Sequence, residues 1–232
     1  MKSRIAVLAS GGGSNLQAIL DYFDALGDRR AGEVVLVASS REDAGALQRA
    51  ARHAIPTAVL ASGAPPTLDE LLIANDVDLV VLAGYVRLVS PEIVAKYDGR
   101  IVNIHPALLP AFGGPGMYGQ RVHRAVIESG VRVTGATVHF VNEIYDRGRI
   151  IAQWPVPVFS SDDPASIAAR VLRVEHLLYP RVVQGVASGR FTLQNCAATS
   201  ASFIDSRPAF TLLPHEDSRL AENIDLALGG GC

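Results

Sequence analysis

Along this chain, unbroken apolar runs alternate with segments in which apolar residues recur at helical spacing, and that alternation predicts the architecture. Residues 4–9 (RIAVLA) read as a central parallel strand covered on both faces, because the run does not alternate with polar residues. The glycine turn that follows opens a helix whose Leu16, Ile19, Leu20 and Phe23 share one face. Further strands are predicted at 33–38, 57–60, 78–83 and 101–105, separated by helices at 44–53, at 68–74 and from Pro91 onward. A helix at 122–128 leads into a strand at 132–141 with alternating Thr134, Thr137 and His139. The strand at 150–158 is interrupted by Pro155 and Pro157 and is therefore placed at a sheet edge. A long helix starts near Pro164, carries Leu172, Leu177, Leu178, Val182, Val183 and Val186 on one side, and is expected to kink at Pro180. Strands alternating with helices imply an α/β fold with a doubly wound, mostly parallel sheet and ligands at the carboxyl ends of its strands. The pattern weakens beyond Gly189. Residues 1–194 are read as one domain and 195–232 as a loosely attached extension with one strand near 210–213.

Composition narrows the function classes. A net charge of −2 over 232 residues, without a Lys/Arg run, disfavours nucleic acid or a membrane as the main partner. Small-molecule substrates fit better. The only cysteines, Cys196 and Cys232, offer neither a disulfide framework nor paired spacing for structural zinc, so no metal is expected. No apolar stretch reaches membrane-spanning length and the N-terminal run is too short for a signal sequence, which points to a cytoplasmic protein. Whether it is a monomer or a homodimer is open.

Two segments carry candidate chemistry. In SGGGSNLQAIL, Gly11, Gly12 and Gly13 let the backbone approach a ligand, Ser14 or Asn15 can cap, and N–H groups at the helix start favour an anion such as phosphate. A plain strand-to-helix turn needs fewer glycines. The run is neither GxGxxG nor a Walker loop, which argues against a dinucleotide or triphosphate. In IVNIHP, Asn103 and His105 are two apart on a strand and project to one side, and Pro106 stops the strand directly behind them. Asp146 lies on a loop that can reach the same edge, and a carboxylate there would raise the His105 pKa and make it an acid at neutral pH. With no serine elbow, reactive cysteine or metal cluster nearby, the set suits acyl transfer by direct attack of a substrate nucleophile. Each residue also has a structural explanation. His105 could cap a turn, Asn103 could satisfy backbone, Asp146 could form an Asx turn, and Arg87 could be a surface ion-pair partner.

SGGGSNLQAIL, VLAGYVRLVSP, VNIHPALLPAF and GATVHFVNEIYDRGRIIAQ, in that order over residues 4–190, resemble the folate-dependent formyltransferases of purine synthesis. The resemblance implies a Rossmann-like fold, 10-formyltetrahydrofolate as the formyl-donor cosubstrate without a metal, and the amino group of 5-phosphoribosylglycinamide as acceptor. It implies that Asn103, His105 and Asp146 are catalytic, with Asp146 keeping His105 charged. It assigns Gly13, Ser14, Asn15 and Glu175 to the acceptor, and Val86, Arg87, Leu88, Val89 and His139 to the folate. Two departures stand out: Asp146-Arg147-Gly148-Arg149 replaces the family's Asp-Thr-Gly-Pro, and the glycine-rich loop FGGPGMYGQRVH, read as a lid, is longer than the common form. A formyltetrahydrofolate hydrolase and a noncatalytic nucleotide-binding module are the alternatives. The hydrolases usually carry a second histidine where this chain has Pro106.

Overall fold

In the computed structural model, which describes residues 1–61, 65–195 and 217–229, β1 (Ser3–Leu8) passes through the glycine turn into α1 (Ser14–Leu26). The alternation continues with β2 (Gly32–Ser39), α2 (Gly45–Arg52), β3 (Thr57–Val59), α3 (Leu68–Ala74), β4 (Leu79–Leu82), α4 (Pro91–Lys96) and β5 (Ile101–His105). Then follow α5 (Gln120–Ser129), β6 (Val133–Phe140), β7 (Ile150–Pro157), α6 (Pro164–Ala187) and α7 (Asp217–Ala227). The strands form one seven-stranded sheet in the order β3-β2-β1-β4-β5-β6-β7. The first five are mutually parallel, while β6 and β7 are antiparallel additions. This is the predicted α/β, mostly parallel arrangement, with proline-bearing β7 at the edge.

The apolar runs become strands because both faces of the sheet are covered. Ile5 and Val7 join the cluster beneath α1 and α6, Ala6 and Leu8 join the one beneath α3 and α4, and all four are 0% exposed. Burial of each larger side chain stabilises the fold by roughly 1.5–3 kcal/mol. α6 continues through Pro180 instead of ending there, and the neighbouring Tyr179, Val182 and Val183 are fully buried. Packing on both sides of the proline compensates for the backbone hydrogen bond it cannot make.

β1, β4 and β5 are adjacent, so their carboxyl ends lie side by side and define one working edge. Of the segment read as an extension, the described part, α7, packs against the domain. In α7, Ile224 is buried with Leu228 just beyond it, Arg181 of α6 pairs with Asp225 at 2.7 Å, and Arg190 donates to the carbonyls of Leu228 and Gly229. Leu220, Ile224 and Leu228 form a short i, i+4 apolar stripe, too brief to stand out in sequence. The strand expected near 210–213 and both cysteines lie outside the described residues.

Candidate active site

The turn after β1 needs glycine for two physical reasons. Gly13, the residue before α1, has φ +74°, and a Cβ there would fall 2.6 Å from the Ala46 Cα of α2. No side chain caps α1. Its first-turn N–H groups are therefore available to an anion beside Gly13 and Ser14. Asn15 turns inward, 8% exposed, and donates from Nδ2 to Glu175 Oε2 at 2.7 Å. Its Oδ1 is buried and, among the described residues, has no hydrogen-bond partner. Glu175 comes from α6, one turn before Tyr179, whose hydroxyl donates to the carbonyls of Leu82 (2.8 Å) and Val102 (3.1 Å). That contact fixes α6 against β4 and β5 and aims Glu175 at the working edge. Burial pushes the Glu175 carboxyl up to about 7, with the Asn15 hydrogen bond opposing it.

Asn103 and His105 leave β5 on the same side, as the strand period requires, and antiparallel pairing sets His139 of β6 opposite Asn103. His139 Nδ1 donates to the Phe140 carbonyl at 2.7 Å, which leaves Nε2 facing Asn103. Asn103 Nδ2 donates to it at 3.1 Å. This contact fixes the amide and leaves its second N–H for the cavity. His105, 3% exposed, donates from Nε2 to the Phe112 carbonyl at 2.9 Å. Its Nδ1 thus carries the lone pair and faces Asp146 Oδ2 at 3.6 Å.

Asp146 reaches this point because the chain turns back sharply after β6. Asp146 itself has φ +53°, a strained value for a residue with a Cβ, and Gly148 packs directly on the Phe140 carbonyl, where a side chain has no room. Asp146 Oδ2 accepts from the Gly114 N–H at 2.8 Å, and Oδ1 is 3.7 Å from His139 Nε2. Burial alone would raise the Asp146 pKa, yet the carboxyl is held below its ordinary value, and the Gly114 N–H donating to Oδ2 is one cause. The expectation for His105 is corrected. Burial lowers its pKa more than Asp146 raises it, so the ligand-free imidazole is neutral at pH 7 rather than a preformed acid. Sequence spacing placed the carboxylate beside the ring but could not show how deeply both groups would be buried.

These side chains face a cavity of about 500 Å³. It is lined by Asn15, Glu175, Val86, Arg87, Leu88, Val89, Asn103, His105, His139 and Asp146. Gly13 and Ser14 do not line it; they sit at the start of α1 next to Asn15. Arg87 donates to the Leu60 carbonyl at 2.9 Å, which anchors the segment after β4. Tyr118, on the loop before α5, and His123 of α5 also reach the cavity; the sequence pattern had placed both in the lid segment, with no chemistry of their own. His123 is buried with Nδ1 unpartnered among the described residues, and burial, then His105, lowers its pKa. Its place on the buried face of α5, with Val122 and Val126, is the signal that could have found it.

The model of the formyl transferase family matches residues 3–183. A phosphoribosylglycinamide formyltransferase of Arabidopsis thaliana, chloroplastic by name, is 44% identical over 82% of this chain and 67% of its own. The Escherichia coli phosphoribosylglycinamide formyltransferase is 41% identical over 84% of this chain and 92% of its own. Among solved structures, glycinamide ribonucleotide transformylase 1 from Symbiobacterium toebii superimposes with a TM-score of 0.75 at 42% identity, covering 83% of this chain and 91% of that one.

Proposed function

Because the chain belongs to the formyl transferase family, we propose that it transfers the formyl group of 10-formyltetrahydrofolate to the amino group of 5-phosphoribosylglycinamide, a step of purine biosynthesis. The observation that carries this reading is the convergence of Asn103, His105 and Asp146 on one cavity that also receives Asn15 and Glu175. Val86 (45% exposed), Leu88 (47%) and Ile144 (64%) give that cavity an apolar rim suited to the flat aromatic part of a folate. The start of α1 suits the acceptor's phosphate.

When bound, the folate supplies an activated formyl group. The free Asn103 N–H is directed to the formyl oxygen as negative charge develops there. His105 Nδ1 takes the proton lost by the amine as the new carbon–nitrogen bond forms. Asp146, 3.6 Å away, and the Phe112 carbonyl stabilise the resulting imidazolium. As the old carbon–nitrogen bond breaks, His105 returns the proton to the departing nitrogen. Glu175 and the Asn15 Oδ1 hold the glycinamide end through its N–H groups. Among the described residues no group of His, Cys, Asp and Glu could hold a metal ion, and no helix is long and apolar enough to cross a membrane.

The direct test follows the absorbance of a 10-formyl folate analogue with and without the ribonucleotide. Release of deformylated folate only when acceptor is present is expected. Release without acceptor would make the protein a hydrolase, and no release would leave it a binding module.

A further inference from the structure

Arg49 on α2 was assigned nothing by the sequence pattern and does not line the cavity, yet it grips the glycine turn from behind. Its Nε donates to the Gly12 carbonyl at 2.8 Å, and the Ala46 N–H donates to the Gly11 carbonyl at 3.2 Å. A peptide unit is planar and trans, so its N–H points opposite to its carbonyl. Pinning the Gly11 and Gly12 carbonyls onto α2 therefore turns the Gly12 and Gly13 N–H groups away from α2, toward the open side of the turn. Close approach of the two segments makes this possible, since Gly45 and Ala46 carry little or no side chain where the turn packs.

Arg49 also brings charge. Its Nη1 donates to the Gln17 Oε1 at 3.3 Å, a neutral partner, and among the described residues no carboxylate pairs with it. Its field extends to α6, where it adds to burial in lowering the His176 pKa. A full positive charge thus stands one side chain behind a backbone turn whose N–H groups face a prospective anion.

We propose that Arg49 is a positioning residue for the acceptor's phosphate: it fixes the direction of the glycine-turn amides and supplies the positive charge behind them. The proposal rests on the reading of that turn as the phosphate cradle. The ribonucleotide and its dephosphorylated ribonucleoside are compared as acceptors, with wild type, Arg49→Met, Arg49→Lys and Arg52→Met. Arg52 lies three residues further along the same helix, exposed, and serves as the control.

Wild type is expected to favour the phosphorylated acceptor strongly. Arg49→Met should raise its KM for that acceptor roughly tenfold or more, the scale of one charge-assisted hydrogen bond, while kcat, the folate KM and the KM for the dephosphorylated acceptor stay within about twofold. Arg49→Lys should recover part of the loss and Arg52→Met should show none. A purely structural role would instead lower thermal stability and shift both acceptors together, which would overturn the proposal, as would an unchanged KM in Arg49→Met. If wild type itself failed to distinguish the two acceptors, the phosphate reading of the turn would fall first and the role of Arg49 with it.

Discussion

The two halves of the site are built on opposite principles. The proposed cradle after β1 is made of main chain: Gly13 takes a left-handed conformation, the turn packs on α2, and no side chain caps the N–H groups that open α1. The centre at β5 and β6 is made of side chains from distant segments, with His105 and His139 3% and 2% exposed. In the first, local sequence dictates geometry, because only glycine tolerates the conformation and the close contact. In the second, burial contributed by the whole fold decides which groups carry charge.

Substitutions should separate these principles by which kinetic constant they move. The largest effect is expected at the side-chain centre. His105→Ala should lower kcat about 10²–10⁴-fold with a folded protein, as seen by steady-state kinetics alongside circular dichroism, because the proposed mechanism passes the amine's proton through its ring. Near-normal turnover would remove His105 from the chemistry. Asn103→Ala should follow with roughly 10²–10³ lost from kcat and little change in KM, the pattern of a donor used only as charge develops.

At the cradle, Gly13→Ala should act chiefly on KM. A methyl group at φ +74° and 2.6 Å from Ala46 must displace the turn, so the KM for the ribonucleotide should rise at least tenfold while turnover at saturating acceptor changes less. If kcat fell as far as in Asn103→Ala with KM unchanged, the division between cradle and centre would not hold.

The smallest effect should appear in stability. The Glu175 carboxyl is raised from 4.5 to about 7, so in that pH window the folded state keeps a proton that the unfolded state has released. Wild-type stability should therefore fall as pH rises through the window. Glu175→Gln, which never ionises, should melt several degrees above wild type beyond pH 7 and lose that advantage toward pH 4.5, as followed by thermal denaturation. An advantage independent of pH would mean that Glu175 is not buried as an acid.

The same contrast explains what could be read from sequence. β1 and β4 stood out as apolar runs because sheets covered on both faces produce them, and the glycine turn stood out because its backbone demands that residue. Asn103 and His105 followed from the period of a strand and the proline behind them. The protonation of His105 could not be read, since it depends on how much of the fold closes over the ring. Nor could the Phe112 carbonyl and the Gly114 N–H, backbone groups of a loop whose path carries no side-chain signature. The Arg49 contact could not be read for the same reason: its partner is a carbonyl, and helix position alone cannot show which turn it will meet.

The most direct measurement is nitrogen-15 NMR of histidine-labelled protein without ligand at pH 7, with the His105 signals assigned by comparison with a His105 variant. A neutral ring with its proton on Nε2 and a free lone pair on Nδ1, charging only below the ordinary imidazole pKa of 6.5, is predicted. A ring already doubly protonated at pH 7 would contradict it and make His105 the acid that Asp146 alone would have produced.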